Sequence, residues 1–224
     1  MKKLTIAIMM LLGSFSMASA ELGVSIGISG NLGLYEAAGS ETENSEVNTA
    51  KNEEMAGAMG SVFLEINPSF GMLDRLSIGV DYVPHKIQTG TQTTMRSDHS
   101  LAAGGTGASI LKNTVQVDIK DITTIYANVN VTDWLYVTGG LMTMDVITNE
   151  TLATGSAYAD TSLDGYTMGV GAHIQNDSGF FSRISVNYME MDGVQLSSTT
   201  NTDNKVDLKS LEGTSAKFSI GKTF

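Results

Sequence analysis

The sequence predicts an all-β protein: a transmembrane antiparallel up-and-down β-barrel of about eight strands. Three observations carry that expectation. Apolar residues alternate with small or polar ones, period two, in segment after segment. Long polar connections alternate with short turns along the chain. The last alternating segment, Ser215 to Phe224, runs to the final residue, so a terminal strand is free to pair back with the first.

The N-terminus reads as a secretory signal. Lys2 and Lys3 precede a short apolar run, Leu4 to Leu12, and Ala18-Ser19-Ala20 supplies a small-residue cleavage site. Cleavage is expected to remove residues 1–20 and leave one barrel domain, residues 21–224. No later apolar run approaches the ~18 residues that a transmembrane helix needs. Without cysteine, the chain has no disulfide, thiolate metal site or Cys nucleophile. The formal net charge is -11, and -13 without Lys2 and Lys3, a sign that disfavours nucleic-acid binding.

The strands follow in order. Leu22, Val24, Ile26, Ile28, Leu32 and Leu34 fall on one face of the first, and Gly, Ser and Asn lie between them. Glu36 to Met55 reads as an acidic loop. Val62, Leu64 and Ile66 mark the second strand, and Pro68 to Asp74 supplies turn chemistry. Leu76, Ile78, Val80 and Tyr82 mark the third, which Pro84 ends. His85 to Asn113 reads as a long loop with room for one further hairpin, which would make about ten strands. Thr114 to Asn130 is the fourth strand. Val115, Val117 and Ile119 are expected on the same face as Ile125, Ala127 and Val129, with Asp121 at the outer headgroup level. The fifth, Trp134 to Asp145, offers two competing apolar faces. The sixth carries Tyr166, Met168, Val170 and Ile174 on one face, and the seventh Ile184, Val186 and Tyr188. The turns Val131-Thr132-Asp133 and Asn176-Asp177-Ser178-Gly179 are short. Long connections follow strands one, three, five and seven, as in barrels with short periplasmic turns and longer outer loops. A secreted sandwich is the rival architecture, but its exposed faces would carry more Lys and Glu than the Gly, Ser and Thr found here.

The terminal strand, with Phe218, Ile220 and Phe224 on one face, resembles the last strand of Gram-negative outer-membrane barrels. The stretch Asn128-Val129-Asn130-Val131-Thr132-Asp133-Trp134-Leu135-Tyr136-Val137-Thr138-Gly139-Gly140-Leu141 is similar to a turn and strand of opacity-like proteins. The resemblance is to the small eight-stranded families: the OmpA transmembrane domain, OmpX and the opacity-like barrels. It implies an outer-membrane location, contact with lipids and lipopolysaccharide, and recognition of Phe218, Ile220 and Phe224 by the assembly machinery. Lys222 departs from the aromatic residue often found three positions from the end of such chains.

A barrel this narrow is filled by its own side chains. The alternation points Glu65, Asp81, Asp118, Lys120, Arg183 and Lys217 inward. Glu65 and Arg183 are expected to pair near the periplasmic end, with Lys217 and Asp81 in a higher layer, because unpaired charge there is costly. Such pairs form a structural plug or line a narrow ion path. The aromatic residues Phe70, Trp134, Tyr136, Phe180, Phe181 and Phe224 read as an interfacial girdle.

No catalytic, cofactor or metal site is expected. His85, Asp98, His99 and Ser100 gather near the outer rim without a nucleophile motif. His85, His99 and His173 lack metal-ligand spacing, and Glu41, Glu43, Glu46, Glu53 and Glu54 lack a calcium-loop pattern. Gly221-Lys222-Thr223 resembles the end of a P-loop, but no helix can follow it. The expected role is a non-enzymatic barrel that supports envelope integrity and displays surface loops. The alternatives are a small porin-like channel for ions or small solutes, and an adhesin or recognition barrel.

Overall fold

The computed structural model describes residues 22–43, 46–68, 71–99, 108–152 and 155–224. Residues 1–20, expected to be a cleaved signal, lie outside them, as do Phe70 and Ser100. In chain order the strands are β1 (Leu22–Glu43), β2 (Glu46–Pro68), β3 (Leu76–Tyr82), β4 (Ile87–Gln88), β5 (Gln92–His99), β6 (Ala108–Asn130), β7 (Leu135–Thr151), β8 (Thr161–Gln175), β9 (Phe180–Met191), β10 (Val194–Ser197) and β11 (Lys205–Thr223). A 3₁₀ turn, Gly71–Arg75, leads into β3.

Eight of these strands form a closed antiparallel ladder in the order β1, β2, β3, β6, β7, β8, β9, β11, and β11 pairs back to β1. The register fixes the barrel's geometry. One rung runs from Gly27 through Phe63, Asp81, Thr124, Met142, Gly165, Met191 and Leu211, and it returns to β1 at Ala37, ten residues above its start. Eight strands with that stagger give a narrow, tilted barrel.

The outer face is a continuous apolar belt: Val24, Ile26, Ile28, Leu32 and Leu34 on β1, Ile125 and Val129 on β6, Val137 and Leu141 on β7, and Met168, Val170 and Ile174 on β8 are all exposed. The odd-numbered face of β7 is therefore the outer one. A closed ladder with a greasy exterior is the form that satisfies every backbone polar group in lipid, and the chain is a membrane β-barrel on that ground. Trp134, Phe180 and Phe224 ring its lower edge. Tyr136 and Phe181, expected in that girdle, are buried inside instead. Lys222 stands over the rings of Phe180 and Phe224, at 5.0 and 4.8 Å. That cation–π pair fits Lys at a position where an aromatic residue is usual.

Two expectations are corrected above the belt. The stretch Glu36 to Met55 is not a loop, because β1 and β2 stay paired up to Glu43↔Glu46. His85 to Asn113 adds no membrane-crossing hairpin, since β4 and β5 pair with the upper part of β6. Pairing needs only backbone groups, so the ladder continues where water wets both faces and the side-chain alternation disappears.

Inside, aromatic rings lie over inward glycines. A Cβ on Gly27 would collide with the Phe63 ring and with the carbonyl of Ile220, whereas one on Gly30, two residues from the lipid-facing Leu32 and on the same face, would meet nothing. Gly27→Val is expected to abolish refolding into detergent micelles, scored by the difference in electrophoretic mobility between unboiled and boiled samples. Gly30→Val is expected to keep the full mobility shift.

Candidate functional site in the lumen

The lower lumen is polar and its charges are paired. Glu65 on β2 is fully buried and forms a two-pronged ion pair with Arg183 on β9; one oxygen contacts Nη1, and the other accepts from Nη2 at 2.9 Å. Tyr126 Oη donates to Glu65 at 2.7 Å and Asn128 Nδ2 at 3.2 Å. The Arg183 guanidinium lies 4.3 Å from the ring centre of Phe181 and 5.8 Å from that of Tyr136. The His173 ring packs 6.2 Å from Tyr136. Serines fill the gaps between strands: Ser29 bonds Ser219 at 2.9 Å, and Asn67 Nδ2 donates to Ser25 at 2.6 Å.

A second ion pair lies above the first. Lys217 Nζ donates to Asp81 Oδ2 at 2.6 Å, and Ser61 Oγ donates to the same oxygen at 3.0 Å. Higher still the interior turns apolar. Val83, Ile122, Met144, Leu163, Met189, Met191 and Leu211 are buried together, with Tyr35, Met59 and Met142 against them. Methionine suits this irregular space because its unbranched chain adapts to what its neighbours leave. Free space of about 100 Å³ remains along this interior, with a lining that reaches from Glu65 and Arg183 past Asp81 and Lys217 to Met142 and Met189.

The structure thus joins Glu65 to Arg183 and Asp81 to Lys217. Asp118 and Lys120 do not share that interior. Asp121 takes a positive φ of 54°, and β6 carries one extra residue against β7 between Lys120 and Thr123. This bulge reverses the faces of β6 above it. Ile119 and Ile87 turn inward, while Asp118, paired in register with Gln88 and Ile147, turns outward. Lys120 lies beside Asp145 in register, on the same outer face.

Asp118 sits above the belt and accepts from Lys86 Nζ at 2.9 Å and Gln88 Nε2 at 3.0 Å. Those donors hold its carboxyl below the ordinary value of 3.8. Its contribution to β4–β6 docking is therefore complete above that ordinary value and is lost as pH falls through the lowered one.

Phe218, Ile220 and Phe224, the expected assembly signal, all face the lipid. Outside, just above the belt, register sets four glutamates side by side on four strands: Glu54, Glu36, Glu212 and Glu190. Tyr188 Oη donates to Glu190 and Glu212 at 3.1 Å each, and Asn52 Nδ2 donates to Glu36 at 3.2 Å, which offsets part of the repulsion. Among the described residues no group of three or more His, Asp or Glu is arranged to hold a metal ion. Of the rim group, His85 accepts the Gly60 N–H at 3.1 Å, and Asp98 and His99 lie in β5.

No family model matches the sequence, and no curated protein matches it. Solved structures similar to the barrel include the outer membrane protease OmpT from Escherichia coli, at 8% identity and TM-score 0.47, covering 94% of this chain and 99% of that one. Ail, the attachment invasion locus protein of Yersinia pestis, is similar at 13% identity and TM-score 0.34, covering 89% of this chain and 98% of that one. A Pseudomonas aeruginosa FadL homologue is similar at 8% identity and TM-score 0.35, with 91% and 90% covered.

Sequence reasoning missed Tyr126 and Asn128 as partners of Glu65, and it missed the methionine-rich cap. The inward phase of β6 contains both partners, but only the register across β3 brings them to Glu65. Arg183→Met alone leaves Glu65 buried and charged and is expected to cost about 3–5 kcal/mol of stability, read from urea unfolding in micelles. Adding Glu65→Gln is expected to recover most of that loss. Lys86→Met is expected to raise the Asp118 titration midpoint, followed by NMR of its carboxyl carbon.

Proposed function

We propose that this chain is a non-enzymatic barrel of the Gram-negative outer membrane, closed along its lumen, that supports envelope integrity and presents its outer rim to the surroundings. The observation that carries the reading is the stacking of two buried ion pairs beneath a methionine-rich apolar cap. Each ion pair ties opposite walls together, so moving one aside leaves an unpaired charge in a narrow interior. The free space of about 100 Å³ has room for about three waters. A conducting path would need a continuous polar column, and the cap interrupts it.

The partners follow from the exterior. Lipid chains cover the apolar belt, and lipopolysaccharide surrounds its upper margin. The outward Phe218, Ile220 and Phe224 offer the assembly machinery an aromatic terminal strand. Arrival in that membrane requires export by the N-terminal signal.

Purified protein in planar lipid bilayers is expected to give no discrete current steps, and replacing the cap residues Met189 and Met191 with serine is expected to introduce them. Reproducible steps from the unaltered protein would favour the channel reading instead.

A further inference from the structure

The wall of the barrel is incomplete above the membrane. β2 pairs with β1 along its length, but its register with β3 stops at Val62↔Tyr82. The next residue of that chain, Val83, donates its N–H to Ile122, and Pro84 has none to give. From there the chain leans toward β6. β4 and β5 pair with β6 and, among the described residues, with no other strand.

The edge of β2 that faces this gap is therefore open. The Gly60 N–H points into it and is capped by His85 Nε2 at 3.1 Å. Backbone groups of an antiparallel strand alternate in direction, so the N–H and C=O of Ala58, Ala56 and Glu54 point the same way as those of Gly60. None of these groups has a hydrogen-bond partner on that side among the described residues. Natural edges are commonly blunted by Lys, Pro or a bulge. Between Asn52 and Gly60 there is no Lys or Pro, and the register with β1 is unbroken.

We propose that this edge receives an extended, basic strand of a partner protein, by main-chain pairing along Glu54, Ala56 and Ala58. Strand addition of this kind takes affinity from backbone hydrogen bonds and selectivity from alternate side chains. The exposed side chains on the outer face of the edge are Ala58, Ala56 and Glu54, with Glu36 directly across from Glu54. The alanines leave room for large side chains on the incoming strand. Glu54 selects positive charge beside it, and Glu36, Glu212 and Glu190 continue the acidic row behind it. On the opposite bank Lys86 is engaged by Asp118.

This inference rests on the reading that this end of the barrel faces outward from the cell. The test uses the mature barrel in detergent micelles and, as probe, an end-blocked eight-residue peptide of alternating valine and lysine. Saturable binding is expected, with slowed amide exchange at Glu54, Ala56 and Ala58. The double variant Ala56→Pro, Ala58→Pro removes two edge N–H groups, uses none that β1 needs and leaves the charge unchanged; it is expected to weaken binding at least tenfold. Equal binding by that variant would reduce the effect to charge alone and overturn the proposal. Absence of saturable binding, or amides already protected in the free protein, would overturn it as well. Mobility shifts of boiled and unboiled samples accompany each measurement: lost binding with an intact shift is a failure of the edge, and a lost shift in the unaltered protein is a failure of the barrel itself. If the proline variant loses its shift, amide exchange on the unaltered protein decides.

Discussion

Everything in this molecule depends on the ladder closing without water. In hydrocarbon an unpaired N–H or C=O has no solvent to turn to, so the first and last strands must find each other. They do so down to the last residue: Phe224 N–H donates to Val24 at 2.9 Å, and Val24 N–H donates back to Phe224 at 3.3 Å. Closure with eight strands and a stagger of ten residues fixes a small bore. The small bore in turn dictates what the inward positions hold. The outward positions need only be apolar, which is why Val, Ile, Leu and Met are interchanged there without pattern.

Filling a bore of that size is a packing problem with few solutions. Bulky inward groups need gaps beside them. Phe63 lies over Gly27, and Tyr136 over Gly171. Charges are admitted only as matched sets. Glu65 is saturated by Arg183, Tyr126 and Asn128, which arrive from two other strands, β9 and β6. The same residues tie β2, β6 and β9 together across the lumen. Glu65 is the partner they share, so removing it deprives the other three together, and the set acts as a unit rather than as separate bonds. Toward the outer mouth the walls are less regular, and methionine replaces the ion pairs as the space filler.

The sequence was readable wherever lipid imposed a face. The alternation from Leu22 to Leu34, and from Tyr166 to Ile174, had one greasy side because one side meets hydrocarbon. The inward phase of Glu65, Asp81, Arg183 and Lys217 followed from the same count. It failed where that imposition ends. Glu36 to Met55 carries no greasy face, so a paired hairpin looked like a loop. Asp118 and Lys120 were counted as inward because a period of two has no way to register the extra residue beside Asp121. The hint was chemical: Asp tolerates a left-handed backbone better than Val or Ile, and it interrupts the apolar run at the point of reversal. Tyr126 and Asn128 were beyond reach for another reason, since register between strands is not written in either strand alone.

The water boundary can be located without reference to hydropathy. Pro84, the bulge at Asp121 and the end of the β2–β3 ladder all fall at one level, and Tyr82 Oη donates to Asp121 across it at 3.0 Å. Each of these irregularities leaves backbone groups outside the ladder. Below that level, each would expose a polar group to lipid at a cost of several kcal/mol. Above it, water takes over the missing partners and the cost falls away. The coincidence therefore marks where hydrocarbon stops constraining the backbone. It also explains why the barrel wall is complete below this level and open above it. The free edge of β2 is what the fold is permitted to leave unpaired once the solvent changes.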